Sequence, residues 1–189
     1  MKEVLCERPS VETGVGLLRQ ENKFILDATA GFRMMWFDKK HPNCIYLDQR
    51  PECEPDIVGD FKNLSQFPDG MFKLIIFDPP FWIRSSNNIN THYLQRFGYL
   101  QSETWQVDLK QGIKELWRVL ANYGILQGKW STYHISSDEF LRMFPCRPLI
   151  YQVTQEKAGL MGKGKRIHER TKTLWFTFMK IPEQKETNP

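Results

Sequence analysis

Four short apolar runs in the first half of the chain are each followed by an acidic residue. The runs occupy residues 24–26, 44–47, 57–58 and 74–77, and the acids are Asp27, Asp48, Asp60 (after one glycine) and Asp78. Such runs, rich in β-branched and aromatic residues, are typical of strands buried on both faces of a parallel sheet. Because parallel strands end at the same edge of a sheet, the pattern gathers four carboxyl groups at that edge.

The second half of the chain combines a helical period with further strand patterns. Between residues 104 and 122, apolar side chains recur at spacings of three and four, which predicts an amphipathic helix. Further strands are predicted over residues 125–130, 149–154 and 173–180, and shorter helices over residues 32–40 and 137–144. These elements predict one α/β domain with a largely parallel, seven-stranded sheet, helices on both faces and a final antiparallel hairpin.

Length, charge and cysteine content restrict the class of protein. A chain of 189 residues suits one compact domain, and a formal net charge of +4 permits a nucleic-acid partner without requiring one. The four cysteines are scattered without a close pair of metal ligands, so we expect reduced thiols and no metal. No apolar run has transmembrane length and the first residues are polar, so we expect a cytoplasmic protein without membrane association.

The fourth apolar run leads into the tetrapeptide Asp78-Pro79-Pro80-Phe81. An exocyclic amine of a nucleobase is a poor nucleophile because its lone pair is delocalised into the ring. The Asp78 carboxylate and the Pro79 carbonyl would both accept N–H bonds from such an amine, which favours a pyramidal nitrogen with a free lone pair. The Phe81 ring would stack on the base. A proline-rich turn after a core strand is the plainer alternative.

The tetrapeptide resembles the Asp-Pro-Pro-aromatic motif of class I S-adenosylmethionine-dependent amino-methyltransferases, which modify adenine N6 and related amines. The resemblance implies a Rossmann-like class I methyltransferase domain, S-adenosylmethionine as the cofactor, and a catalytic role for the tetrapeptide. The segment that runs from Asp27 through Ala28 to Gly31 resembles the first cofactor motif of that family. Its single glycine disfavours a loop that cradles phosphate, but the implied cofactor has no phosphate.

Two further acids match positions that the resemblance implies for the cofactor. Asp48 lies 21 residues after Asp27, at the end of the second predicted strand, where Rossmann-like folds hold ribose hydroxyls. Family members place an acid beyond the third strand against the cofactor adenine, with an adjacent apolar side chain against the ring, and Asp60 and Phe61 match this description. A single acid at a strand end is usually a helix cap or a solvated charge, but four at one edge would repel each other without a cationic ligand.

Two loops are predicted to contact nucleic acid. In the long polar connection over residues 82–103, Trp82 would extend the stacking surface and Arg84 would contact bases. The segment 155–172 is rich in glycine and basic residues, which predicts phosphate binding, with a solvated hairpin tip as the alternative. Its predicted contacts are Lys157, Lys163, Lys165, Arg166 and Arg170. Lys129, at the end of the fifth strand, would face the same cleft, either to balance the acids or to contact a phosphate.

We therefore expect a nitrogen methyltransferase acting on a nucleic-acid base, with adenine N6 in DNA favoured over RNA. The methyltransferase domain would span residues 22–181, after a lead-in over residues 1–21 and before a disordered tail over residues 182–189. No segment is left for a separate target-recognition domain, so specificity would be short, relaxed, or supplied by a partner or a homodimer, as in small phage-type or orphan enzymes. The alternatives are an RNA base methyltransferase and a non-catalytic nucleic-acid-binding subunit.

Overall fold

A computed structural model describes residues 23–85, 92–155 and 172–182 of the chain. In chain order the strands are β1 (Ile25–Asp27), β2 (Cys44–Asp48), β3 (Ile57–Val58), β4 (Phe72–Phe77), β5 (Ile83–Arg84), β6 (Leu100–Gln101), β7 (Leu120–Ser131), β8 (Ile150–Gln155) and β9 (Lys172–Met179). The helices within the described ranges are α1 (His92–Phe97), α2 (Trp105–Val119) and α3 (Ser137–Leu141). The predicted lead-in over residues 1–21 and nearly all of the predicted tail lie outside the described residues.

Seven of the strands form one sheet in the order β3-β2-β1-β4-β7-β9-β8. The first five of these pair in parallel, and β9 is antiparallel to both β7 and β8. The predicted α/β fold, with a mostly parallel seven-stranded sheet and a final antiparallel hairpin, is therefore confirmed. The strand order reverses between β1 and β4, which is the point where open α/β sheets bind ligands beyond the strands' carboxyl ends.

The two faces of the sheet are covered in different ways. On one face, α2 buries Leu109, Ile113 and Leu116 in the larger apolar cluster, and α3 adds Phe140 to the same cluster. On the other face, Trp36 packs on a smaller cluster formed mainly by residues of β1 and β2. Helices were predicted on both faces, but within the described residues this second face is covered by a segment of turns.

The helix predicted over residues 32–40 is wrong, because this segment forms a series of turns. Gly31 and Arg33 have φ angles of 49° and 56°, which interrupt a right-handed helix. The Arg33 guanidinium group donates to the carbonyl oxygens of Lys39 and Glu54 at 2.7 and 2.8 Å. These tertiary hydrogen bonds hold the backbone in turns that the local apolar pattern did not predict.

The boundary between α2 and β7 also differs from the prediction. The helix ends at Val119 instead of residue 122, and β7 continues for 12 residues from Leu120. The Lys180 ammonium group donates to the carbonyl oxygens of Trp117 and Leu120 at 2.7 and 2.8 Å, which satisfies two acceptors at the helix end. A charged side chain from beyond β9 thus helps to fix where the helix stops.

The connection over residues 82–103 contains regular structure where a long polar loop was predicted. Strands β5 and β6 form a small parallel sheet, and α1 lies between them in the chain. The amide of Leu100 donates to the carbonyl oxygen of Trp82 at 2.7 Å, and the amide of Ser102 donates to that of Arg84 at 3.0 Å. Hydrogen bonds from Leu100 and Ser102 therefore hold the backbone just past the tetrapeptide, at Trp82 and Arg84.

Candidate active site

A cavity of about 400 Å³ lies at the carboxyl edge of the sheet. It is lined by residues that follow β1, β2, β3 and β4 and by the connection around α1, including Ala28, Asp48, Phe61, Asp78, Pro80 and Phe97. Two of the four predicted acids, Asp48 and Asp78, thus share this cavity. The reversal of strand order between β1 and β4 opens the space in which they meet.

Asp78 lies directly beyond β4, held by contacts with two neighbouring strands. Its backbone amide donates to the hydroxyl of Thr29, which follows β1, at 2.9 Å. The Lys129 ammonium nitrogen, on β7, lies 3.7 Å from Asp78 Oδ2, and about one third of each side chain is exposed. Burial raises the pKa of the Asp78 carboxyl, and the charge and hydrogen bond of Lys129 oppose that rise. The carboxylate is therefore placed in a partly dry site with one cation beside it.

The rest of the tetrapeptide divides between the cavity and the core. Pro80 lines the cavity, and Pro79 is buried. Phe81 is half-buried, packs against the larger apolar cluster, and does not line the cavity. The stacking role predicted for Phe81 therefore stays a prediction, because it requires a base to enter beyond the present cavity wall.

Asp48 lines the cavity, but its carboxylate is already engaged by Arg50. Arg50 Nε donates to Oδ1 at 2.8 Å and Nη2 donates to Oδ2 at 3.0 Å, while the amide of Gly31 donates to Oδ2 at 2.7 Å. Burial raises the pKa of Asp48, but the hydrogen bonds from Arg50 outweigh it and hold that pKa below its usual range. Asp48 is thus an ionised acceptor, and a ribose diol would have to replace Arg50 there.

Asp27 lies behind the cavity instead of lining it. Only 3% of the residue is exposed, and its carboxylate accepts from Trp36 Nε1 at 2.7 Å and from the amide of Thr29 at 3.3 Å. Burial raises the pKa of Asp27 to about 7, with Asp78 and Asp48 adding to the rise. Its hydrogen bonds fix the turn that carries Ala28 and Thr29, so in this geometry Asp27 supports the site without facing the cavity.

The raised pKa of Asp27 predicts a pH dependence of stability. Between pH about 4 and 7 the folded state keeps a proton that the unfolded state has released, so the free energy of unfolding falls as pH rises. Asp27→Asn cannot ionise and keeps an acceptor for Trp36, so the variant should lose this fall. Relative to the wild type, the free energy of unfolding of the variant should rise by roughly a few kcal/mol from pH 4 to pH 7, measured by urea unfolding. Asp38→Asn, at an exposed carboxyl in the same turns, is the control, and parallel curves for Asp27→Asn and wild type would contradict the prediction.

The remaining predicted cofactor residues have mixed positions. Ala28 and Phe61 line the cavity, and Gly31 contacts its rim through the hydrogen bond to Asp48. The Phe61 ring packs against Gly112 of α2 so closely that a side chain there would overlap it, and this fixes the ring at the cavity wall. Asp60 does not line the cavity, and its carboxylate pairs with Lys62 at 3.3 Å.

Residues that the sequence pattern did not assign also shape the site. Thr29 and Arg50 line the cavity. The Thr29 hydroxyl accepts a hydrogen bond from the Asp78 amide, and the Arg50 guanidinium group donates to the Asp48 carboxylate. The nearest sequence signal for Arg50 is its spacing two residues after Asp48, which suits a side chain folding back on the strand end. Thr29 lies inside the small-residue turn after β1, and nothing in the local pattern marks its hydroxyl as an acceptor for another strand.

The residues predicted to bind nucleic acid are only partly described. Lys157, Lys163, Lys165, Arg166 and Arg170 all lie outside the described residues. Trp82 and Arg84 lie together past the tetrapeptide, with the Arg84 guanidinium carbon 5.0 Å from the centre of the Trp82 ring. Phe81 and Trp82 have ring centres 5.7 Å apart, so an aromatic surface continues outward from the tetrapeptide.

Thiols and possible metal ligands in the described ranges give no further site. Cys44 and Cys53 are free and buried, and Cys146 is free and exposed. Across residues 23–85, 92–155 and 172–182, no three His, Cys, Asp or Glu side chains are grouped to hold a metal ion. No helix in these ranges has both the length and the apolar character needed to cross a bilayer.

Comparisons with known proteins return only weak similarities. No protein-family model matches the chain, and no curated protein matches it. The chain is similar to an S-adenosylmethionine-dependent methyltransferase from Methanosarcina mazei, with 12% identity over 90% of this chain and 98% of that chain and a TM-score of 0.48. It is also similar to a variant of the 16S rRNA (adenine(1408)-N(1))-methyltransferase from Catenulisporales acidiphilia, with 9% identity over 89% and 91% and a TM-score of 0.47. An rRNA methylase from Streptococcus thermophilus has 12% identity over 89% and 92%, with a TM-score of 0.45. All three TM-scores are below 0.5, so the fold is defined by the strand order of the chain itself.

Proposed function

We propose that this protein transfers a methyl group from S-adenosylmethionine to an exocyclic amine of a nucleic-acid base, with adenine N6 in DNA as the favoured target. The observation that carries the proposal is the cavity that Asp48 and Asp78 share at the carboxyl edge of the sheet. One carboxylate suits the hydroxyl groups of a nucleoside, and the other suits the N–H groups of an amine.

The residues around the cavity fit the nucleoside part of the proposed cofactor. Its volume of about 400 Å³ is within the usual range for a small-molecule site. Ala28 and Thr29 bring a small-residue turn against it, Phe61 supplies an aromatic wall, and Asp48 supplies an acceptor for ribose hydroxyls. The turn after β1 is held by Asp27 and has one glycine, which suits a ligand without phosphate.

The chemistry then depends on Asp78 and its neighbours. When bound, S-adenosylmethionine would supply a methyl group attached to a cationic sulfur, and the sulfur would become a neutral thioether when the methyl group is transferred. Asp78 and the Pro79 carbonyl would accept the two N–H bonds of the amine, which frees the nitrogen lone pair for attack on the methyl carbon. Asp78 would also accept the proton that the methylated nitrogen releases. A base in a duplex would have to be flipped out to reach this position.

The proposal is tested by supplying labelled S-adenosylmethionine with separate DNA and RNA pools and identifying methylated nucleosides by mass spectrometry. We expect N6-methyladenine in DNA, and its loss with Asp78→Asn. The same geometry serves an amine of an RNA base, so label that appears only in RNA would move the substrate to RNA. A different methylated base would overturn the adenine assignment.

Calorimetry together with the transfer assay separates an enzyme from a binding subunit. An active enzyme should bind S-adenosylhomocysteine, the product of transfer, and Asp48→Ala should weaken that binding. Cofactor and oligonucleotide binding without methyl transfer would favour the non-catalytic subunit. If the protein binds neither S-adenosylmethionine nor S-adenosylhomocysteine, the proposed function is wrong.

Lys129 should set the lower pH limit of the reaction. Lys129 on β7 is the neighbouring charge that lowers the pKa of Asp78. Asp27, on β1, is protonated below pH about 7 and so adds no charge on the acidic limb. Lys129→Met removes the favourable charge, so the pKa of Asp78 should rise and the acidic limb of kcat should move to higher pH. Lys129→Arg keeps the charge and should keep the limb near its wild-type position. Equal limbs in all three proteins would show that Lys129 does not hold Asp78 ionised.

A further inference from the structure

An exposed aromatic cluster lies beside the tetrapeptide, at the carboxyl edge of β4 and β7. These two strands are parallel neighbours, with Phe77 opposite Gly128. The chain that leaves β4 carries Phe81 and Trp82, and the chain that leaves β7 carries Tyr133 and His134. Because both segments leave the sheet at one place, the second aromatic pair lies against the first.

The four rings form a continuous run. Ring centres are 5.7 Å apart between Phe81 and Trp82, 4.4 Å between Trp82 and Tyr133, and 4.7 Å between Tyr133 and His134. Phe81 packs against the core, Trp82 is half-buried, and 45% of Tyr133 is exposed. The run therefore leads from the tetrapeptide to the protein surface.

This exposure distinguishes the cluster from aromatic packing in the core. Trp130 and Phe140, for example, stack at 4.1 Å and are both fully buried. Tyr123 is also exposed, but it lies near the amino end of β7, away from the carboxyl edge. Single exposed apolar residues of this kind are normal. Several aromatic rings exposed together beside a reactive carboxylate instead mark a binding surface.

The charge on this surface indicates which ligand it suits. The Arg84 guanidinium group lies over the Trp82 ring, with its carbon 5.0 Å from the ring centre. Exposed aromatic rings beside an arginine are the usual platform for unpaired nucleobases, whose faces stack on the rings while the cation contacts the backbone. Bases in a duplex already stack on both faces, so a duplex does not present that surface.

We propose that Tyr133 and His134, with Trp82 and Arg84, form a second base-binding subsite for an unpaired nucleobase adjacent in the strand to the base presented at Asp78. This inference rests on the function proposed above and adds that the bound nucleic acid is single-stranded on the side of its target that meets the subsite. Tyr133 provides the outer stacking surface, and Trp82 supports it from behind.

The test is binding of a fluorescently labelled single-stranded DNA oligonucleotide of mixed sequence, measured by anisotropy with S-adenosylhomocysteine present. Tyr133→Ala should weaken binding by about 5- to 150-fold, the range for loss of one stacked base. Tyr133→Phe keeps the ring and should bind like the wild type. Tyr123→Ala, at the exposed tyrosine on the opposite end of β7, should also bind like the wild type.

Several outcomes would overturn the subsite. They are unchanged binding by Tyr133→Ala, and equal weakening by Tyr133→Ala and Tyr123→Ala. The subsite is also overturned if Tyr133→Ala loses as much affinity for a blunt duplex of the same sequence as it loses for the single strand. Thermal melting checks that each variant is folded. If Tyr133→Ala is not folded, Tyr133→Leu, which keeps an apolar side chain without a ring, takes its place and should weaken binding where Tyr133→Phe does not. If one of these outcomes is found while the wild type still methylates in an Asp78-dependent manner, only the subsite is wrong. If the wild type binds no cofactor, the proposed function is wrong.

Discussion

Asp78→Asn is expected to lower the rate of methyl transfer by about 10²- to 10⁴-fold, the range for losing one positioned acceptor of protons or charge. The amide has a single acceptor oxygen, and its NH₂ group would face the N–H groups of the substrate amine. It also leaves the Lys129 ammonium group, 3.7 Å away, without its carboxylate partner. Binding of S-adenosylhomocysteine should change little, because Ala28, Asp48 and Phe61 stay in place.

The measurement is a single-turnover rate with the nucleic acid that the wild type methylates, alongside calorimetry with S-adenosylhomocysteine. Asp138→Asn, at an exposed acid in α3, is the matched control and should keep the wild-type rate. If Asp78→Asn keeps the wild-type rate, the tetrapeptide is only a turn after a core strand. If it loses cofactor binding as well as rate, Asp78 serves the cofactor instead of the amine.

Gly128→Ala is expected to be the most damaging small substitution in the sheet. Gly128 lies on β7 opposite Phe77 of β4 and Phe176 of β9. A Cβ atom there would overlap both the carbonyl oxygen of Phe77 and the Phe176 ring. Both neighbours are fixed, one as backbone in the sheet and the other as a buried ring, so neither can yield cheaply. The loss in the free energy of unfolding should be about 1–3 kcal/mol or more.

Urea unfolding with a shared m-value would give this loss directly. Gly59→Ala is the control, since a Cβ atom there makes only ordinary contacts with the Leu47 side chain, at 3.4 Å, and the Ile57 side chain, at 3.7 Å. Gly128 directly precedes Lys129, so any shift of β7 should also disturb the pair that Lys129 forms with Asp78. A Gly128→Ala protein as stable as Gly59→Ala would mean that β4 and β7 can separate more easily than their pairing suggests.

The first four strands were predictable because each is a short apolar run that leads into an acid, directly or after one glycine. The second strand was predicted over residues 44–48, which are the observed bounds of β2, and the fourth over residues 73–78, within one residue of β4 at each end. The turns over residues 32–40 were not, because they depend on distant partners. Trp36 bonds Asp27, and Arg33 bonds the carbonyl of Glu54, which local periodicity does not reveal.

The position of the candidate site was predictable, but the hydrogen-bond and ion-pair partners of its acids were not. A parallel sheet brings Asp48 and Asp78 to one edge whatever the loops do, and the cavity is at that edge. The partners of these acids come from chain folding that the pattern leaves free. The structure places Lys129 beside Asp78, which favours charge balance over the phosphate contact, and it turns Asp60 toward Lys62.

The Arg50 side chain links two parts of the site that a ligand would have to separate. Besides its two bonds to Asp48, it donates to the carbonyl oxygen of Arg96 in α1. A ligand that captures the Asp48 carboxylate would free Arg50 from it, so the hydrogen bond from Arg50 to α1 would lose its anchor at the end of β2. Binding at Asp48 would therefore be transmitted through this one side chain to α1, which also lines the cavity.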